Sequence, residues 1–332
     1  MNAGEVTAIV PVWNRRELLE RLLGSLRAQT RPISEVLVID DGSSDSSAEL
    51  AESLGARAIR MRAHGGFARA VNRGIRESHT PFVAIINNDV MLAPDWLEKL
   101  AAAIDSGAWF ATGRILKAAD PSRIDATYDA ICRGGTAWRV GNGCPDGPLF
   151  RESREVRFAP FTAALFRAEL FNRVGLLDER FESYLEDVDF GLRCALAGCS
   201  GRYVPDAVAW HEGSATLGRW HPVTTRLTAR NQVFLIAKHY PRNLLLRYGW
   251  RIAAAQGLWG LTALRHGRAW SWMRGKLDGI RRCKELRSAA PPQAERLIEI
   301  LLEGEREIQY VQRACANDLY WTLYFRLTGG AK

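Results

Sequence analysis

Val36-Leu37-Val38-Ile39-Asp40-Asp41-Gly42-Ser43-Ser44-Asp45 is an apolar run that gives way at once to acids, glycine and serine. Residues that favour an extended chain, followed immediately by turn formers, read as a buried strand ending at a sheet edge. The flanking sequence has the same rhythm. Val6–Val12 reads as a strand and Arg16–Arg27 as a helix with Leu18, Leu19, Leu22, Leu23 and Leu26 on one face. Ser46–Leu54 reads as a helix with Asp45 as N-cap, Ala58–Arg60 as a short strand, Ala68–Glu77 as a helix and Phe82–Ile86 as a strand. Strands and helices alternating at these lengths make βαβ units, and right-handed crossovers then place helices on both faces of a parallel sheet. The expected fold class is α/β.

Beyond residue 100 the rhythm weakens. Trp109–Leu116, Phe158–Leu165 and Arg202–Val208 read as strands and Asp187–Ala197 as a helix stopped by Gly198, while Ala118–Arg157, rich in Gly, Pro and Asp, reads as loops over the strand ends. From Thr224 the pattern is helical, broken once at Pro291-Pro292 before a Glu-rich helix, Ala294–Ile308. A chain of 332 residues suits one large domain or two ordinary ones. With 47% hydrophobic and 25% charged residues it can bury a core, which excludes disordered and collagen-like classes.

The net charge of +8 is unevenly placed. From Pro222 onward 19 Lys and Arg stand against 8 Asp and Glu, and before it 26 against 29. In Val223–Arg287, 14 basic residues face only Asp278 and Glu285, interleaved with Trp250, Trp259, Trp270 and Trp272. Leu244, Leu245, Leu246, Tyr248, Trp250, Ile252, Leu258 and Trp259 among Arg242, Arg247, Arg251, Arg265 and Arg268 read as interfacial helices, suited to an anionic membrane surface rather than nucleic acid. A helical cap on the catalytic domain, its arginines merely solvated, would show the same composition. The longest uncharged stretch, Ile252–Leu264, has 13 residues, short of the ~20 that span a bilayer. Six cysteines (Cys132, Cys144, Cys194, Cys199, Cys283 and Cys315) show no C-x-x-C and no zinc spacing, and the amino-terminal residues have no basic leader, so a reducing cytoplasm is expected.

Five places hold chemistry. The acids Asp40 and Asp41 stand past a strand's carboxyl edge, where nucleotides bind in open α/β sheets and a carboxylate can accept from a base N–H or ribose hydroxyl. A turn with a helix cap would use the same residues, and neither a P-loop nor G-x-G-x-x-G is present. Asn87-Asn88-Asp89 ends the next parallel strand; one carboxylate beside amides, near a diphosphate, suits Mg²⁺ or Mn²⁺ with few protein ligands, and an ordinary Asx turn is the alternative. Glu186, Asp187 and Asp189 crowd a helix start, which the helix dipole and an Asp189–Arg193 pair partly explain. Crowding and burial there would raise a carboxylate's pKa toward that of a general base. Gly65-Gly66 opens a helix, where backbone N–H groups and Arg69 could meet a phosphate, and His211 follows a strand, where it could be a structural histidine or a ligand.

In order, these pieces resemble family 2 glycosyltransferases of the GT-A fold, especially the rhamnosyltransferase-like branch that builds bacterial surface polysaccharides. The matching stretches are Val10-Pro11-Val12-Trp13-Asn14, Val38 through Ser43, Gly65-Gly66-Phe67 through Asn72, Asn87-Asn88-Asp89-Val90, Gly175 through Phe181, Glu186-Asp187-Val188-Asp189, and Val204-Pro205 through His211. The resemblance spans residues 5–240. It implies a Rossmann-like mixed sheet of the nucleotide-diphospho-sugar transferase type over 1–222 and an α-helical extension over 223–332. It also implies that Pro11, Asn14, Asp40 and Asp41 line a base and ribose pocket, with Arg69, Asn72 and Asn88 on the donor. Asp89 would be the last acid of the family's D-x-D motif, His211 a second metal ligand, Asp187 the catalytic base and Glu186 its neighbour at the acceptor. Asn87-Asn88 replace the more acidic form of that motif, and the processive synthases' Q-x-x-R-W is absent.

The expected activity is metal-dependent, inverting, non-processive transfer from a nucleotide sugar, dTDP-rhamnose or a UDP-sugar, to a polysaccharide or polyprenyl-diphosphate-linked acceptor. The expected location is the inner face of the cell membrane. Three rivals are a sugar-phosphate nucleotidyltransferase, which would want a glycine-rich basic loop where Trp13-Asn14-Arg15-Arg16 stands, a retaining enzyme of the same fold, and a non-catalytic membrane scaffold.

Overall fold

The computed structural model describes residues 5–213, 218, 220–287, 294–316 and 318–330. The break expected at Pro291-Pro292 and the Ser214 end of the His211 stretch lie outside them. The chain forms two compact units: Met1–Tyr128 with Asn142–Thr216, and Asp129–Gly141 with Leu217–Lys332.

In the first unit β1 (Val6–Val12), α1 (Arg16–Arg27), β2 (Glu35–Asp40), α2 (Ser47–Ser53), β3 (Arg57–Arg60), α3 (Phe67–Glu77) and β4 (Phe82–Ile86) alternate as the sequence predicts. β1 pairs parallel with β2 and with β4, and β2 parallel with β3. All seven residues of β1 are buried, the mark of a strand covered on both faces. Leu19, Leu22, Leu23 and Leu26 of α1 pack into the same core as Val10, Val38 and Ile86.

The second half departs from a parallel sheet. After β5 (Val90–Leu92) and α4 (Trp96–Asp105) come β6 (Phe110–Lys117) and β7 (Asp120–Ala126). Following the excursion through 129–141, β10 (Arg154–Val156), β11 (Ala163–Arg167), α5 (Ala168–Val174), α6 (Glu186–Leu196) and β12 (Gly201–His211) complete the unit. The order is β10-β12-β6-β11-β4-β1-β2-β3, with β5 on β12 and β7 on β6. β11 lies antiparallel to both β4 and β6, which makes the sheet mixed. Strand direction is set by pairing, and side-chain alternation reads the same either way.

The second unit holds α7 (Pro222–His239), α8 (Arg242–Arg265), α9 (Ala269–Leu286), α10 (Ala294–Val311) and α11 (Leu319–Thr328). Residues 118–157, expected as loops, instead contain β7, β10 and a hairpin of β8 (Asp129–Ile131) and β9 (Ala137–Arg139) that folds with these helices. Arg133 donates from Nε and Nη2 to the fully buried Glu305 carboxylate at 2.7 and 2.8 Å. The Tyr320 hydroxyl and Thr136 Oγ1 are 3.0 Å apart, and Trp138 stands edge-on to Trp321. α10 passes so close that a Cβ on Gly304 would lie 2.4 Å from the Ile131 carbonyl. No described helix is long and apolar enough to cross a membrane.

Candidate active site

Strand register places the metal candidates. β5 runs antiparallel to β12 with Val90 opposite His211, so Asp89, one residue earlier, reaches the imidazole. Asp89 Oδ1 is 3.2 Å from His211 Nε2. On the far side of β6, β7 carries Asp125, whose Oδ2 is 2.8 Å from His211 Nδ1. Asn142 steadies Asp125, donating to its backbone oxygen at 2.7 Å. All three charged side chains are at most 10% exposed. Burial alone would discharge the imidazole, but hydrogen bonds to Asp125 and Asp89 prevail and push its pKa up to about 9.

These residues fit a divalent cation, which would take the place of the proton on His211 Nε2. A carboxylate oxygen and an imidazole nitrogen converging from two strands are donors that Mg²⁺ or Mn²⁺ accepts, and a carboxylate on the far ring nitrogen is the usual support of a metal-bound histidine. No described group of three or more His, Cys, Asp or Glu could hold an ion alone. Further ligands would come from phosphate and water.

At the ends of β1 and β2, Asn14 and Arg15 sit in the left-handed region, at φ 60° and 66°. The Asn14 side chain accepts from the Ser44 N–H at 2.9 Å, and its own N–H donates to Ser43 Oγ at 2.8 Å. Asn88 Nδ2 reaches the Asn14 carbonyl at 3.4 Å, joining this turn to the Asp89 strand end. Pro11 is buried in β1, and Asp40 accepts from the Ser43 N–H at 2.8 Å. Trp13 stacks on His64, ring centroids 4.1 Å apart.

Asp41, expected at the base and ribose pocket, holds the glycine turn. Its two oxygens accept from the Gly65 and Gly66 N–H groups, each at 2.8 Å, and His64 Nδ1 lies 2.8 Å from Oδ2. Burial raises its pKa despite those bonds. The glycine turn is likewise committed: the Phe67 N–H donates to Ser183 Oγ at 3.1 Å and the Ala68 N–H to the Glu182 carbonyl at 2.9 Å. The expectation that this helix start offers its backbone to phosphate is therefore corrected, because four successive N–H groups are spent within the protein. Gly66 is required, at φ +91° and with a Cβ position 2.8 Å from the Glu182 oxygen. Arg69 is exposed and folds back over Gly65.

Asn72, expected on the donor, is corrected too. It is buried, donates both amide hydrogens to the Leu177 carbonyl and Glu179 Oε1 at 2.9 Å, and accepts from the Leu177 N–H at 3.0 Å. It fastens α3 to the Gly175–Phe181 stretch.

The segment fastened there leads into the three acids. Glu182, Tyr184 and Leu185 hold positive φ of 62°, 73° and 67°, conformations that cost ~1–3 kcal/mol each and persist only where surroundings impose them. Asp189 is fully buried, and Arg193 Nε donates to it at 3.1 Å while the same guanidinium bonds the carbonyls of Gly175 and Leu176, so this acid is structural. Glu186 is buried at the helix start. Asp187 is half-buried, with one oxygen on the Val188 N–H at 2.8 Å. The ties of α3 to Glu182 and Ser183 bring the segment that precedes Asp187 to the glycine turn held by Asp41. Sequence reasoning missed Asp125, His64 and the Trp13 stack; Asp125 and His211 are 86 positions apart, and only pairing across β6 unites them.

Solved glycosyltransferases share this fold. GalNAc-T7, determined with UDP, GalNAc and Mn²⁺, matches with a TM-score of 0.62 at 15% identity over 90% of this chain, and this chain spans 56% of that one. The Pyrobaculum calidifontis mannosyltransferase PcManGT, determined with GDP-Man and Mn²⁺, matches with a TM-score of 0.52 at 17% identity over 98% of this chain and 86% of its own. The fold is thus that of the GT-A glycosyltransferases. Sequence narrows it: residues 7–175 match the model of glycosyl transferase family 2, and the chain belongs to that family. The N-acetylglucosaminyl-diphospho-decaprenol L-rhamnosyltransferase of Mycobacterium tuberculosis is 30% identical over 252 residues, 67% of this chain and 80% of that protein. The pre-mycofactocin glycosyltransferase of the same species is 31% identical over 221 residues, 65% of this chain and 44% of its own.

Proposed function

We propose that this glycosyltransferase moves one sugar per encounter, with inversion and with a divalent cation, from a nucleoside diphosphate donor to an acceptor on a polyprenyl diphosphate at a membrane surface. The observation that carries the reading is the 3.2 Å approach of Asp89 to His211 on the edge that also holds the Asn14–Ser43 turn. The mycobacterial relative is named for L-rhamnosyl transfer to a diphospho-decaprenol-linked sugar; the donor in this reading is accordingly dTDP-rhamnose, with a UDP-sugar as the other candidate, and the acceptor is lipid-linked. Catalysis would belong to residues 1–222, with 223–332 as the helical extension and 129–141 folded into it.

Inverting transfer needs one base and one stabiliser of the leaving group. The half-buried Asp187 takes the acceptor hydroxyl's proton as that oxygen attacks the anomeric carbon; a carbon–oxygen bond forms to the acceptor as the one to the diphosphate breaks. Glu186, buried beside it, orients the helix start under the acceptor. Asp89 and His211 would hold the cation, which when bound supplies positive charge to the departing nucleoside diphosphate. Asp125 keeps His211 aimed at Asp89, and Arg69 meets the phosphates from the exposed side of the glycine turn. A retaining double displacement would need a second carboxylate as nucleophile, and Asp189, tied to Arg193, is not free for that role.

The test is a panel of nucleotide sugars incubated with and without Mn²⁺, with the product's anomeric configuration read by NMR. Turnover of one donor only with metal, giving the inverted anomer, is expected. Metal-independent turnover or a retained anomer would sink the reading.

A further inference from the structure

We infer that the outer faces of α8 and α9 are the surface by which this protein sits on an anionic bilayer. This deepens the lipid-linked acceptor reading and rests on it for purpose, not for evidence. The sequence nominates residues whose packing does not suit them: Leu244, Tyr248 and Leu258 are buried core. The face that α8 leaves outside is a different stripe, Leu246, Trp250, Ala253, Gly257, Leu261 and Leu264, recurring every three or four positions and holding no charged side chain; the Trp250 indole N–H is bonded to the Leu327 carbonyl. Its four large side chains are 60 to 86% exposed. α9 adds exposed Trp270, Met273, Leu277 and Ile280 on one side. Between the helices opens a hollow of about 520 Å³ lined by Gly257, Leu261, Leu264, Trp270 and Met273.

Charge names the occupant. Residues 242–287 carry eleven Lys and Arg against Asp278 and Glu285. Arg247 and Arg265 share one flank of the α8 stripe, and exposed Arg274 and Arg281 border the α9 stripe. An apolar band with tryptophans and a basic rim, on helices too polar to span, matches the interface between acyl chains and anionic headgroups. A second copy fits worse, since face-to-face pairing would bring two basic rims together.

The full chain is sedimented with vesicles of phosphatidylcholine alone and with 30% phosphatidylglycerol, and tryptophan quenching by brominated lipids is recorded. We expect binding to the anionic vesicles, with quenching that falls in Trp250→Phe/Trp270→Phe. Leu261→Gln/Leu264→Gln should weaken binding on the order of tenfold or more, and Arg274→Gln/Arg281→Gln roughly fivefold per charge on anionic vesicles only. Far-UV circular dichroism checks that the variants fold. Wild-type protein that stays in the supernatant, binding indifferent to the leucine variants, or a concentration-dependent dimer that these variants abolish would each overturn the proposal. Transfer to a water-soluble acceptor analogue should be unchanged in Leu261→Gln/Leu264→Gln. Vesicle binding without turnover of any nucleotide sugar would instead count against the transferase reading.

Discussion

At the scale of single residues, the acids divide by burial rather than by motif. Asp189 is spent on Arg193, Asp41 on the glycine turn, and Asp187 alone of the helix-start acids is half-exposed. Asp187→Asn should lower transfer ~10²–10⁴-fold with donor affinity unchanged, measured as kcat against the nucleotide-sugar Kd; loss of both together would assign it to the scaffold. Asp125→Ala should weaken Mn²⁺ binding in the presence of nucleoside diphosphate ~10–100-fold, read by calorimetric titration, while the fold persists. An unchanged titration would leave Asp125 without a part in the site. Asp89 and His211 could be nominated from the sequence because one follows the end of β4 and the other is the last residue of β12. Asp125 was not, since nothing within its neighbours Ile124 and Ala126 signals a histidine 86 positions away. Asn72 was misplaced for the opposite reason: a polar residue after a glycine turn looks available until Leu177 and Glu179 are seen to use it.

At the scale of elements, periodicity located β1 to β4 and α1 to α3 to within a residue or two, because all but the edge strand β3 bury a face that their own sequence declares. It could not give the direction of β11 or choose the exposed stripe of α8, which depend on neighbours far along the chain. Nor could it anticipate Lys276 on α9, whose ammonium donates to Gln232 at 2.9 Å and to Gln256, amide oxygens rather than carboxylates. Burial lowers its pKa to about 7, from 10.5 for an ordinary lysine. In that window the unfolded chain binds the proton that the folded one sheds, so stability should rise with pH from about 7 to about 10.5, by up to ~1.4 kcal/mol per pH unit. Lys276→Met removes the dependence. Urea melts should show the variant gaining most over wild type near pH 7 and the gap closing toward pH 10; parallel curves would contradict the assignment. Gly66→Ala, strained at positive φ and driven against Glu182, should cost ~1–3 kcal/mol and reduce transfer, since the same contact positions the loop before Asp187.

At the scale of the molecule, the order of motifs along the chain gave away the α/β class, while the hairpin at 129–141 stayed hidden. Its glycines and its buried arginine make sense only beside Glu305 and Tyr320, more than 170 residues later. A chain ending at 222 should therefore fold poorly, because Ile131 and Cys132 lose their cover and Arg133 its partner. The same chain with 129–141 replaced by a short glycine-serine link should recover, as judged by cooperative thermal unfolding. Equal behaviour of the two would mean the hairpin needs no helices. The excursion also bears on synthesis. A ribosome adding ~5–20 residues per second delivers residues 129–141 some ~10–40 s before the last helix that receives them. For that interval the nascent polypeptide carries an unsheltered pair of short strands, so slowing elongation downstream of residue 141 should lower the yield of active enzyme.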